Sequence, residues 1–178
     1  MKIDLQNPKT LKKELLAGKI FIYPTDTIYG LGCDATNKEA VEKIKKIKQR
    51  DKDKPLSIIA PSIDWIKENC IIDCNLNEYL PGPYTIILKK KNSDFFRWIS
   101  ATDSLGIRIP DCDFCRKIQK TGVPFITTSV NLSGEPFALT IKDISETIKS
   151  QVNHIISIGS LTGKPSTLII NGKEAKRK

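Results

Sequence analysis

The apolar residues of this chain fall in short runs, most of them stopped by proline, glycine or a polar turn, and the runs alternate with stretches of helical spacing. Ile20-Phe21-Ile22-Tyr23 ends at Pro24, and Leu105-Gly106-Ile107-Arg108-Ile109 ends at Pro110. Leu56-Ser57-Ile58-Ile59-Ala60, residues 84–89, Phe125-Ile126-Thr127-Thr128, Ile155-Ile156-Ser157-Ile158 and Thr167-Leu168-Ile169-Ile170 have the same form. Runs of this length, rich in β-branched and aromatic residues, predict buried strands. Ile28-Tyr29-Gly30-Leu31-Gly32-Cys33-Asp34 predicts an irregular strand in which glycine allows another backbone close. Between these runs, Leu11, Leu15 and Leu16 mark a helix over 8–17 stopped by Gly18, and Ala40, Val41, Ile44 and Ile47 give one apolar face over 38–50. Residues 62–70 with Ser62 as N-cap, 114–121 before Gly122, and 141–149 complete the helices. Strands interleaved with helices predict an α/β or α+β fold: a twisted, mixed, largely β-sheet core with flanking helices. The basic run 173–178 is expected to be a solvated tail, or one that touches RNA.

A chain of 178 residues suits a single domain over 1–178. No apolar run approaches the ~18–20 residues of a membrane span. Met1-Lys2-Ile3-Asp4-Leu5-Gln6-Asn7 has no apolar leader or cleavage site, so a cytoplasmic protein is expected. Lys and Arg outnumber Asp and Glu 29 to 20, a net charge of +9, which favours polyanionic partners such as nucleotides or RNA but equally fits lysine-rich solvated faces. Cys112-Asp113-Phe114-Cys115 and Cys70-Ile71-Ile72-Asp73-Cys74 have spacings that zinc sites use, yet they are far apart and lack a supporting histidine or glycine knuckle. Reduced structural thiols are the expectation.

Three polar clusters fall at the ends of predicted elements. Thr25-Asp26-Thr27 follows a strand and offers hydroxyls to a small ligand, or is an ordinary Asp-bearing turn. Lys48 and Arg50 would diverge by ~200° on a continuing helix and converge only if the helix ends there. In that case Lys48, Arg50 and Lys54 suit a triphosphate, with a planar guanidinium among mobile ammonium groups; otherwise they are a charged helix end. Ser129 and Asn131 point to one side of an extended chain and suit a nucleotide or carboxylate. No GxxxxGK[ST], GxGxxG or GxSxG occurs.

In this order the clusters resemble the YrdC-type threonylcarbamoyl-AMP synthase family. Tyr23-Pro24-Thr25-Asp26-Thr27-Ile28-Tyr29-Gly30-Leu31-Gly32 is similar to its PT[DE]TxYGLG, and Lys48-Gln49-Arg50 with Lys54-Pro55-Leu56 to its KxRP…PL. Pro81-Gly82-Pro83-Tyr84-Thr85, Arg108-Ile109-Pro110, Ser129-Val130-Asn131-Leu132-Ser133-Gly134 and Ser166-Thr167 resemble PGPxT, VRxP, SxNLSG and the late ST pair. The resemblance implies a concave, basic cavity in the twisted sheet. It implies an enzyme joining L-threonine, bicarbonate and ATP into threonylcarbamoyl-AMP, with Mg2+ on the triphosphate and release of pyrophosphate. A separate transferase complex would then carry the group to transfer RNA. Carried over by motif, Thr27, Arg108 and Ser129 would meet threonine. Arg50, Lys54, Ser104, Asn131 and Ser166 would meet ATP, with Lys48 beside the phosphates and, with Arg50, catalytic.

The sequence departs from the family pattern at Asp51, where proline is usual, at Cys112 and Ile59, near positions that carry histidine in some members, and after the ST pair, where Leu168-Ile169-Ile170 follows. The second domain of larger members has no counterpart in these residues. The competing readings are an RNA-binding accessory protein, a non-synthase paralogue using the same cavity, and a domain acting on carbamoyl phosphate.

Overall fold

A computed structural model of the chain describes residues 4–51 and 54–176. The expectations for the first three residues, for Lys52 and Asp53 and for the last two lie outside those residues. The elements in order are α1 (Pro8–Leu16), β1 (Phe21–Tyr23), β2 (Gly30–Gly32), α2 (Lys38–Ile47), β3 (Ser57–Ile59), α3 (Ile63–Asn69), β4 (Cys70–Ile71), β5 (Tyr84–Lys90), β6 (Ser104–Arg108), α4 (Asp113–Lys120), β7 (Phe125–Ser129), α5 (Glu146–Lys149), β8 (His154–Ile155), β9 (Thr167–Ile170) and β10 (Lys173–Ala175). Single 3-10 turns occur at Leu76–Glu78 and Ile141–Asp143.

Among the described residues the strands form one mixed sheet in the order β10-β9-β5-β6-β3-β7-β2-β1-β8, with β4 added to β5. The pairs β3/β6, β5/β9 and β1/β8 are parallel and the rest antiparallel. Side-chain alternation divides the burial between the two faces. Ile20, Ile22, Ile58, Ile86, Ile107 and Ile126 belong to the larger core, with the Val41, Ile44 and Ile47 face of α2. Phe21, Tyr23, Ile59 and Phe125 belong to a smaller core with Leu11 and Leu15 of α1 and Phe114 and Ile118 of α4.

That smaller core covers only part of its face. Farther along the same face, alternation leaves Thr85, Ser57, Arg108, Thr127 and Ser129, which line a cavity instead of a core. Gly106 belongs to this surface, where it pairs with Ser57 of β3, and a Cβ there would collide with the Ser57 hydroxyl. The concavity is thus a stretch of sheet face with small polar residues and no helix over it.

Most element expectations hold, with local exceptions. The helix expected over 141–149 is broken: Thr140 and Asp143 form a reciprocal cap for a 3-10 turn, and Ser145 caps the separate α5. Of the strand expected at 155–158 only Ile155 is in β8, which begins one residue earlier at His154. The expected solvated tail is in part a strand: β10 pairs antiparallel with β9 through Asn171-Gly172, both at positive φ (51° and 69°). Asn-Gly is the preferred sequence for a two-residue hairpin turn, a signal that the basic composition masked.

Candidate active site

The cavity holds about 440 Å³, within the usual range for small-molecule sites. Its wall brings together Arg50, Arg108, Ser129, Asn131 and Ser166 from four of the quoted motifs.

The end of α2 explains how Arg50 arrives there. The helix stops three residues earlier than its spacing predicts, at Ile47. The Gln49 amide donates to the Lys46 carbonyl and the Arg50 amide to the Lys45 carbonyl, both at 3.0 Å. This pair of bonds is a Schellman termination, with Gln49 at φ 48° in the position that usually holds glycine. The reversal turns Arg50 toward the cavity, where its guanidinium donates to the carbonyls of Pro55 (2.9 Å) and Lys54 (3.4 Å). Relief of the left-handed strain is expected to make Gln49→Gly more stable by about 0.5–1 kcal/mol, and Gln49→Val less stable by at least as much. Urea denaturation of the two variants checks this; a destabilised glycine variant would refute the turn geometry.

Lys48, the C-cap, points elsewhere. Only 1% exposed, its ammonium donates to the carbonyls of Ser129 (2.5 Å) and Asn131 (2.7 Å) and to Asn131 Oδ1 (3.2 Å). The Ser133 amide returns a bond to the Lys48 carbonyl at 3.0 Å. Lys48 therefore fastens the helix end to the loop after β7 and is not part of the cavity wall. Burial, and secondarily the charge of Arg50, lowers its pKa to about 7. Ser129 Oγ donates to Asn131 Oδ1 at 2.5 Å, and Asn131 Nδ2 to the Glu135 carbonyl at 2.6 Å, so this loop is internally braced.

Arg108, the last residue of β6, is 7% exposed. Its Nη2 donates to Asp26 Oδ1 at 2.8 Å and to Thr27 Oγ1 at 3.3 Å, while Asp26 Oδ2 accepts the Asp111 amide at 3.0 Å. Its Nε is also buried and has no hydrogen-bond partner among the described residues. Thr27 lies one bond behind Arg108, with its hydroxyl 2.9 Å from that of Thr25. The Thr25 hydroxyl in turn accepts from the amides of Thr27 and Ile28, so the turn after β1 is locked by its own side chain.

Ser166 Oγ is 2.6 Å from Thr85 Oγ1 across the β5/β9 pair. Lys54 and Ser104 are not among the residues lining the cavity. Arg50 holds the Lys54 backbone, and the Ser104 hydroxyl is 3.1 Å from that of Thr102. Sequence reasoning missed Thr85, Ser57, Thr127, Glu135 and Phe137 as lining residues and Asp26 as the partner of Arg108. Thr85 and Asp26 sit inside quoted motifs and were findable; Ser57 and Thr127 follow only from the pairing of β3 with β7.

Among the described residues no group of three or more histidine, cysteine or acidic side chains is placed to hold a metal ion. No helix among those residues is long and apolar enough to cross a membrane.

Residues 13–177 match the Sua5_yciO_yrdC family, whose description reads Telomere recombination. A Methanocaldococcus jannaschii protein provisionally named threonylcarbamoyl-AMP synthase is 42% identical over 164 residues, 89% of this chain and 77% of that protein. The threonylcarbamoyl-AMP synthase of Vibrio campbellii is 31% identical over 175 residues, 92% of this chain and 94% of that enzyme. The crystal structure of P. abyssi Sua5 complexed with L-threonine is 26% identical with a TM-score of 0.81; it covers 96% of this chain, which spans only 52% of the Sua5 chain.

Proposed function

This chain belongs to the Sua5/YciO/YrdC family, and we propose that it is a threonylcarbamoyl-AMP synthase: an enzyme that condenses L-threonine, bicarbonate and ATP to threonylcarbamoyl-AMP, pyrophosphate and water. The observation that carries the reading is Arg108, a buried guanidinium in the cavity wall whose Nε–H has no partner among the described residues. A buried donor without an acceptor is costly, and a carboxylate ligand satisfies it. An amino acid supplies that carboxylate.

In this reading Arg108 and Ser129 hold threonine, with Thr27, expected from its motif to do so too, orienting Arg108 from behind. Arg50, Asn131 and Ser166, helped by Lys54 and Ser104, hold ATP. Threonine and bicarbonate combine to an N-carboxylated amino acid with loss of water, and the new carboxylate attacks the α-phosphorus, expelling pyrophosphate. Two anions must meet, so the protein's part is to fix their positions and to screen their charge with Arg50 and Arg108. Lys48 acts as a positioning residue, holding the Ser129 and Asn131 backbone through its three bonds. Glu135 is the one acid among the described lining residues, so Mg2+ would come bound to the triphosphate, screening its charge, and not in a protein cage. The product would pass in the cytoplasm to a separate transferase acting on transfer RNA. The net charge of +9 favours a direct, salt-sensitive contact with that RNA.

Pyrophosphate release is expected to require threonine and bicarbonate together. Serine, one methyl smaller, should be used roughly ten times less efficiently. Release at an equal rate without any amino acid would remove the synthase reading and leave an ATP-cleaving or RNA-binding paralogue.

A further inference from the structure

Cys112 and Cys115 belong to none of the machinery above, yet they sit directly behind it. Cys112 is the N-cap of the eight-residue α4, and its Sγ accepts the Cys115 amide at 3.4 Å. The side chain is therefore turned back over the first helical turn, from which the Cys115 side chain also projects. Cys112 is partly exposed and Cys115 fully buried. Both thiols reach the Pro24 carbonyl, Cys112 Sγ at 3.4 Å and Cys115 Sγ at 3.9 Å. Pro24 is buried and leads directly into Thr25-Asp26-Thr27, and Asp26 is tied to the amide of Asp111, beside Cys112.

We propose that Cys112 and Cys115 form a dithiol that exchanges with small-molecule disulfides, and that closing it to a disulfide loosens the amino-acid end of the cavity. The Cys112 thiolate attacks one sulfur of a disulfide RSSR and releases RS−. Cys115 then gives up its proton and attacks the Cys112 sulfur, expelling the second thiol. Two cysteine thiols and one RSSR become one protein disulfide and two RSH, a transfer of two electrons to the small disulfide.

The surroundings divide the two roles. The hydrogen bond from Cys115, aided by its amide and by Arg116, lowers the Cys112 pKa against the opposing effects of burial and Asp26. Burial first, then the neighbouring Cys112, raises that of Cys115 well above the usual thiol value, with Arg108 opposing and Asp26 adding. Asp111 and Asp113 face the same helix start but are both paired with Arg116. Burial also raises the pKa values of Cys33, Cys70 and Cys74. One half-buried attacking thiol and one buried resolving thiol remain. Once they are joined, neither sulfur carries a proton, and the Pro24 carbonyl loses its sulfur donor. The effect on threonine rests on the proposed function; the exchange chemistry does not.

The test treats the full chain with oxidised glutathione and reads thiol state by peptide mass. The peptide containing both cysteines should lose two hydrogens and keep no glutathione. Cys115→Ser should stop at a glutathione adduct on Cys112, and Cys112→Ser should take up none on Cys115. Against a chromogenic aromatic disulfide at pH 7, Cys112 should react at least about tenfold faster than Cys74. Oxidised protein should show a threonine KM raised about threefold or more, an ATP KM changed less than twofold, and recovery with dithiothreitol. The double serine variant, whose hydroxyls can still donate to Pro24, should ignore the oxidant. A lasting adduct on Cys112 in the unaltered protein, or faster reaction at Cys74, overturns the dithiol. A disulfide that leaves threonine KM unchanged overturns the coupling. Failure to use threonine at all, with the mass result intact, would instead count against the synthase reading.

Discussion

Arg108→Ala is expected to destabilise the protein by about 3–5 kcal/mol and to lower kcat/KM for threonine at least about a hundredfold. The stability loss comes from Asp26 more than from the arginine. Both side chains are nearly inaccessible, 8% and 10% exposed, and removing the guanidinium strands a buried carboxylate on a single backbone donor, the Asp111 amide. Taking out both charges should recover part of the loss, so Arg108→Ala with Asp26→Ala ought to be more stable than Arg108→Ala alone. The catalytic loss should remain in the double variant, because the guanidinium proposed to hold the carboxylate is gone in both. Arg108→Lys keeps a charge but cannot reach Asp26, Thr27 and a ligand at once, and should regain stability more than activity. Denaturant midpoints and pyrophosphate release measured side by side separate the two effects. If Arg108→Ala binds threonine normally, the assignment of that end of the cavity fails.

Lys48→Met should cost about 2–4 kcal/mol and reduce kcat/KM for ATP on the order of tenfold or more, with a pH signature of its own. Methionine fills the volume but removes the donor of the Asn131 carbonyl and one of the two donors on the Ser129 carbonyl and on Asn131 Oδ1, so the loop loses its tie to the helix end. The folded protein holds Lys48 at about 7, below its unfolded value of 10.5. Between those values the unfolded chain binds the extra proton, so stability rises with pH as the folded-state cost of charging the buried amine disappears. From pH 6 to pH 9 the unaltered protein should therefore gain roughly 2–3 kcal/mol that Lys48→Met does not. Parallel pH profiles for the two proteins would argue that Lys48 stays charged and that its three acceptors offset its burial.

The sequence by itself determined what depends on near neighbours. Alternation in Phe21-Ile22-Tyr23 assigned side chains to opposite faces, the spacing of Ala40, Val41, Ile44 and Ile47 made the buried side of α2, and Ser62 capped α3. Of the residues named at the sequence level, Arg50, Arg108, Ser129, Asn131 and Ser166 line the cavity, whereas Thr27, Lys48, Lys54 and Ser104 do not. What only the tertiary structure decided was which of these groups meet. Arg108 finds Asp26 across 82 positions and Lys48 finds the Asn131 carbonyl across 83, and neither pairing leaves a local trace. Whether Lys48 and Arg50 face one ligand turned on a single left-handed residue, Gln49, where helix spacing gave no reason to stop. The two thiols on the Pro24 carbonyl likewise required α4 to pack beside the turn after β1. Periodicity is a property of a few adjacent residues and survives in the sequence. Contacts across a sheet depend on strand order, which is set by the burial of all the strands at once.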